Sequence, residues 1–350
     1  MRWLTIVIVT SVSCSSALAE QPEIKIGYTL ALTGKGAFLG IQSRAGAQLA
    51  AKEFNESGVS VKVIIEDHQS EPKVAVAATT KFLDIDKVSA ILCDLTPTCT
   101  ATSPIVAKGH RLFFYQSPAA SIALNNTSAF RAFLDYEEGC RAIAKEWKRS
   151  GIKKIGHLKW NSEAGELCLK GAGDVYPDQI VRNYNSGDDL RSDIVALKGE
   201  KIEALIQTGY EGDYISSLKS ATNLDFAVPF GMPEPVLTKA VLESAGQLPE
   251  GSIVFGFKPL NGDFVKRLKS AYLYVSDVML EGAAIGYLQV QAAVAGLKGC
   301  ATDDLECSVH AVEQMEPTDS ALQFLGWKDR KARLELILKV MRQGQLTIVN

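Results

Sequence analysis

Two stretches of this sequence carry residue types suited to chemistry. Thr96, Thr98, Thr100, Thr102 and Ser103 concentrate hydroxyls between Asp94 and Ser103. Such a run, with its backbone amides, can hold an anionic head group, or it can simply cap a helix. The second stretch, Leu32-Thr33-Gly34-Lys35-Gly36-Ala37-Phe38-Leu39-Gly40, is a glycine-rich turn. It matches neither GxGxxG nor GxxxxGK[ST], which argues against phosphate cradling. Neither GxSxG nor HExxH occurs, so nothing assembles a hydrolytic nucleophile or a zinc protease, and no enzyme activity or cofactor is expected. His68, His110, His157 and His310 show no ligand spacing and no CxxC is present, so no metal is expected.

The elements that would position these residues alternate. Apolar β-rich runs precede helical patterns at Ile24 to Leu32 then Ser43 to Glu56, Val61 to Ile65 then Val74 to Leu83, and Ala90 to Leu92 then Thr102 to Gly109. The rhythm resumes with Ile155 to Leu158 before Gly165 to Val175, and with Ala204 to Gln207 before Asp213 to Thr222. This βαβ order predicts an α/β protein of two doubly wound, Rossmann-like lobes, and such sheets bind ligands at the carboxyl ends of their strands. A length of 350 residues, 47% of them apolar, suits two domains with substantial cores. With 37 basic and 40 acidic residues the formal net charge is only -3, so a nucleic-acid partner is not expected.

Arg2, the apolar run Leu4 to Val9 and the small-x-small Ala17-Leu18-Ala19 read as a cleaved export signal over residues 1–19. Cys14 as a lipid-bearing residue is the competing reading, against which Ser11-Val12-Ser13 lacks the usual leucine. Export favours paired thiols. Cys93 with Cys99 and Cys300 with Cys307 are close in sequence, which leaves Cys140 with Cys168; this is the simplest of many possible connectivities.

The run Ile24-Lys25-Ile26-Gly27 into Leu32-Thr33-Gly34 and Gly40, then Gly46-Ala47-Gln48-Leu49-Ala50, resembles the opening of the leucine/isoleucine/valine-binding family of periplasmic solute-binding proteins. Glu66 to Pro72, Asp86-Lys87-Val88, Ser117-Pro118-Ala119-Ala120-Ser121, Phe130-Arg131, Gly209-Tyr210, Pro233-Glu234 and Tyr272 to Ala284 continue the resemblance in order. The family implies a type I periplasmic binding protein fold whose lobes are joined by three crossovers. The lobes are expected at 20–135 with 259–331 and at 136–258 with 332–350. It further implies a monomer in the periplasm that captures a small solute and delivers it to an ATP-driven (ABC) permease in the inner membrane. A sensory protein presenting its solute to a membrane receptor is the alternative.

By the resemblance, Ala120 offers a carbonyl to a ligand ammonium, Ser121 contacts the ligand, Tyr210 closes the pocket and Glu234 is the acidic partner of the ammonium. Two positions depart from the pattern. Pro97 stands where a carboxylate-binding serine is common, so Thr98 or Thr100 would have to take over, and Ala164 stands where a tyrosine is common. With Trp160, Phe38 and Leu39 in loops expected to face the cleft, a larger, aromatic or carboxylate-poor ligand follows, the solute being an amino acid, an amide or a related, aromatic compound.

Overall fold

The computed structural model describes residues 23–244, 248–275, 280–301 and 303–349, so the expected signal and Cys14 lie outside the described residues. The first lobe begins with β1 (Ile24–Leu30), α1 (Ala37–Glu56), β2 (Val61–Asp67), α2 (Pro72–Lys81), β3 (Ala90–Asp94), α3 (Thr96–Lys108), β4 (Leu112–Gln116), α4 (Ser121–Leu124) and β5 (Ala129–Arg131). The second lobe runs α5 (Tyr136–Arg149), β6 (Ile155–Trp160), α6 (Glu163–Gly173), β7 (Ile180–Tyr184), α7 (Arg191–Gly199), β8 (Ala204–Gln207), α8 (Glu211–Asn223), β9 (Phe230–Pro233), a 3₁₀ turn at Glu234–Val236, α9 (Lys239–Ser244) and β10 (Ile253–Phe257). The chain then returns for α10 (Gly262–Ala271), α11 (Leu280–Leu297), α12 (Leu305–Glu313), β11 (Phe324–Lys328) and β12 (Lys331–Leu334), and crosses once more for β13 (Leu336–Arg342) and β14 (Gln345–Ile348).

Each lobe is a seven-stranded sheet, β11-β12-β5-β4-β3-β1-β2 in one and β14-β13-β10-β9-β8-β6-β7 in the other. The strands of β1 to β5 and of β6 to β10 pair in parallel, and hairpins close one edge of each sheet. Both hairpins turn on two residues in the left-handed region, Asp329-Arg330 (φ 50° and 57°) and Gln343-Gly344 (φ 49° and 79°), the conformation that matches strand twist in a tight connection. The first hairpin carries β12 back beside β5, with Lys331 opposite Arg131. The last crossing therefore falls at Glu335. Residues 332–334, expected from the sequence in the second lobe, pair in the first.

Helix α11 is almost wholly buried against α1. A Cβ on Gly46 would come within 1.7 Å of the Ala283 carbonyl oxygen, and one on Gly286 within 2.2 Å of that of Ser43. Backbone meets backbone here, and only glycine permits it. Cys93 and Cys99, Cys140 and Cys168, and Cys300 and Cys307 lie within disulfide distance, with Cα separations of 5.7, 5.2 and 5.9 Å. The second pair ties α5 to α6.

Candidate ligand-binding cleft

Between the lobes, at the carboxyl ends of both sheets, lies a cleft with about 500 Å³ of empty space, its open mouth included. Phe38 and Leu39 enter from the first turn of α1, Gln116 and Pro118 from the end of β4, Trp160 from the end of β6 and Tyr210 from the N-cap of α8. The Trp160 and Tyr210 rings lie 4.7 Å apart at 54° and form one wall. Phe133, Tyr136 and Val236 complete it.

Phe38, Leu39, Trp160 and Tyr210 line this cleft, the first two from helix α1 and Trp160 from strand β6 where loops were expected, and Ala164, 2% exposed, lines it too. The threonines do not. Pro97 occupies the first turn of α3, where the missing N–H costs nothing, so the helix starts at Thr96 and absorbs most of the expected loop. Inside it the Thr98 hydroxyl donates to the Leu95 carbonyl at 2.9 Å and that of Thr102 to the Thr98 carbonyl at 3.0 Å, while Thr100 is exposed. Ala120 precedes α4 and is absent from the lining. The Ser121 amide donates to Glu163 Oε1 at 3.0 Å and its hydroxyl to Glu163 Oε2, which joins the two lobes.

Glu234 departs furthest from expectation. It is absent from the cleft lining, which its neighbours Pro235 and Val236 join; its carboxylate receives the Lys339 ammonium and faces Glu281. Among the lining residues none is charged. The polar groups that remain are neutral. Gln116 is 1% exposed; its Oε1 accepts from the Ser43 hydroxyl at 2.8 Å, which leaves Nε2 buried and unpartnered. The Tyr136 and Tyr210 phenols also reach the cleft, and burial raises both so that they stay neutral. The Thr96 hydroxyl pairs with Ser117 at 2.7 Å, beside the N-terminus of α3, whose free amides and dipole favour negative charge.

The floor is held from below. Asp94 accepts the Ala31 amide at 3.2 Å and the buried His68 Nε2–H at 2.6 Å, while His68 Nδ1 accepts the Ser70 amide. Arg131, itself buried, donates to the Pro118 carbonyl and to Asp135, fixing the loop after β4. Leu95 sits at φ 63°, a strained setting for a branched residue at the turn from β3 into α3. Gln116, Phe133 and Tyr136 escaped the sequence reading because nothing in their types marks them; their places at the end of β4 and just after β5 were the available signal.

The model of the periplasmic binding protein family matches residues 23–343, nearly the whole chain. The chain belongs to this family. A leucine-, isoleucine-, valine-, threonine- and alanine-binding protein of Pseudomonas aeruginosa is 25% identical to this periplasmic binding protein over 260 residues, 66% of the chain and 65% of that relative. The chain thus spans just under two thirds of the length of the curated relative that it matches. Solved structures share the fold. The branched-chain amino acid transporter substrate binding protein of Streptococcus pneumoniae, in complex with isoleucine, has a TM-score of 0.82 at 17% identity and covers 94% of this chain and 99% of its own. A solute-binding protein of an ABC transporter from R. palustris, in complex with benzoate, has a TM-score of 0.78 at 19% identity and covers 94% and 96%. Among the described residues no helix is long and apolar enough to cross a membrane.

Proposed function

We propose that this periplasmic binding protein is the solute-capturing component of an ATP-driven importer, exported through residues 1–19 and acting as a monomer. Its ligand is a small carboxylic acid with an apolar, preferentially aromatic body and no ammonium group. The observation that carries the ligand class is the absence of any charged side chain from the cleft lining, with Glu234 already committed to Lys339 and Glu281. A buried ammonium needs a charged or strongly accepting partner. A carboxylate, by contrast, is served by neutral donors at a helix N-terminus, here Gln116 Nε2, the two phenols and the first turn of α3. The aromatic walls suit a planar body.

Capture proceeds as a population shift: a ligand touching Gln116 in one lobe and Tyr210 in the other stabilises the closed arrangement, which the permease reads. The test is a titration of unfolded and refolded protein, stripped of retained solute, with benzoate, 4-hydroxybenzoate and leucine, followed by calorimetry and by tryptophan fluorescence. The aromatic acids should bind at least about 100-fold tighter than leucine, roughly 2.7 kcal/mol. Selective, tight leucine binding would refute the assignment.

A further inference from the structure

Two acidic side chains from different lobes face each other at the hinge, outside the cleft lining. Glu234 belongs to the 3₁₀ turn after β9; Glu281 lies in the first turn of α11, which is packed on α1 of the other lobe. Glu281 Oε1 accepts the Phe257 amide at 3.2 Å, and Glu234 Oε1 accepts from Lys339 of β13. The remaining oxygen of each, Glu234 Oε2 and Glu281 Oε2, is shut off from solvent and has no donor. Backbone presses close beside them: a Cβ on Gly256 would lie 2.1 Å from Glu234 Oε2 and 3.0 Å from Glu281 Oε1.

Two ionised carboxylates share this half-buried site poorly with a single ammonium: the Glu234 and Lys339 side chains keep 18% and 20% of their exposure, but the two unpartnered oxygens are shut off from solvent and one negative charge stays uncompensated there. One proton between the two unpartnered oxygens solves both problems, giving a hydrogen bond across the lobes and a neutral cluster of one carboxylate, one carboxylic acid and Lys339. We infer that Glu234 and Glu281 form a proton-binding site shared by the two lobes, so that the protein takes up one proton as it closes.

The charged groups around the site are consistent with this assignment. Facing Glu281 are Glu234 from the turn after β9, Lys339 from β13 and the Phe257 amide from β10. From α1 come the uncharged Gln42 and Leu39, beside Gly282. Lys258 and Glu335, on two of the crossovers, pair with each other at 3.2 Å and are exposed. Burial, then the charge of Glu234, holds the Glu281 carboxyl well above the ordinary carboxylate range; Lys339 opposes this without reversing it. The helix N-terminus at Glu281 favours ionisation, a smaller effect than burial of an unpaired charge.

The sign of the linkage follows. With the lobes apart, Glu281 ionises in the ordinary range; closed, it ionises only at much higher pH. The closed state therefore keeps its full advantage below the ordinary range and loses it as pH rises towards the raised value. Within that window the open-to-closed ratio increases by up to about tenfold per pH unit for one proton. Solute capture is then tighter in acid surroundings, whatever the solute.

The experiment uses ligand-free, full-length mature protein, and so does not depend on the ligand class. Small-angle X-ray scattering from about pH 5.5 to about pH 9 should show the wild type opening as pH rises. Glu281→Gln, which keeps a donor toward Glu234 without the titration, should stay compact throughout. Infrared spectra should show a protonated-carboxyl band at neutral pH in the wild type that Glu281→Gln abolishes. Glu234→Gln, which frees Lys339 for Glu281, should also lose the band and the neutral-range opening. A wild type with no such band, a radius of gyration that ignores pH, or a Glu281→Gln curve that follows the wild type would each overturn the inference.

Discussion

Gln116 shows how much a single residue's type conceals. Its sequence setting, Tyr115-Gln116-Ser117-Pro118, reads as the end of a strand, yet its Nε2 is the cleft's sealed and unpartnered donor. Gln116→Leu keeps the volume and removes the donor, so affinity for an aromatic acid should fall about tenfold or more, roughly 1.4 kcal/mol, while the fold loses little. Equal affinity in a calorimetric titration would take Gln116 out of recognition. Glu234 teaches the converse lesson. A carboxylate beside two prolines at a family position is visible in sequence, but its partners, Lys339 and Glu281, come from strands and helices far along the chain, and only their convergence decides that it faces the hinge. His157 is equally silent in sequence. It is buried in β6, with Nδ1 3.0 Å from Gln179 Oε1, and burial pushes its pKa down to about 4, below the ordinary histidine range. A lowered histidine gives stability that is complete above its unfolded value and is lost as pH falls through the window down to about 4, on the order of 3 kcal/mol in all. Urea denaturation across that window should show His157→Asn losing less stability than the wild type; parallel curves would count against this account.

Among elements, α3 and the α1–α11 pair illustrate what periodicity conveys and what it omits. The alternation of strands and helices was legible because buried parallel strands are short apolar runs and their helices carry polar faces. The start of α3 differs from the sequence expectation: Pro97, in type a lost ligand group, is a start signal in the first turn of a helix, and Thr98 and Thr102 after it satisfy their own backbone. The edge hairpin at Asp329-Arg330 was missed for a related reason, since neither residue is a glycine or asparagine that would announce a left-handed turn. Gly286 bears a sharper demand. Its missing side chain lets α11 rest on the Ser43 backbone, and the contact cannot yield by rotating a side chain. Gly286→Ala should destabilise by about 2 to 3 kcal/mol by prising the helices apart, whereas Gly262→Ala, with open space around its Cβ, should be neutral or slightly stabilising. Equal denaturation midpoints for the two variants would show that α11 can shift without cost.

For the whole molecule, closure must be stabilised by contacts that exist only when the lobes meet, and two of these flank the cleft. On one side Glu163, at the start of α6, accepts both the amide and the hydroxyl of Ser121. On the other, the exposed Lys35 donates to the Ser186 carbonyl at 2.9 Å. The two should not count equally. A carboxylate that receives two donors in a half-buried mouth makes charge-assisted bonds of roughly 1.5 to 3 kcal/mol gross, while a solvated lysine on a carbonyl gains little over water. Part of the first gain is lost to the hydration that both partners recover on opening. Glu163→Ala should therefore raise the apparent dissociation constant of any ligand about three- to thirtyfold, because affinity scales with the closed fraction, and should act mainly through faster release. Lys35→Met should change it less than about twofold. Neither should move the urea midpoint appreciably, since each lobe folds around its own sheet. Stopped-flow release measured on both variants separates the possibilities: a Glu163→Ala protein that releases ligand at the wild-type rate would mean that the ligand alone holds the lobes together, and that Ser121 and Glu163 merely meet.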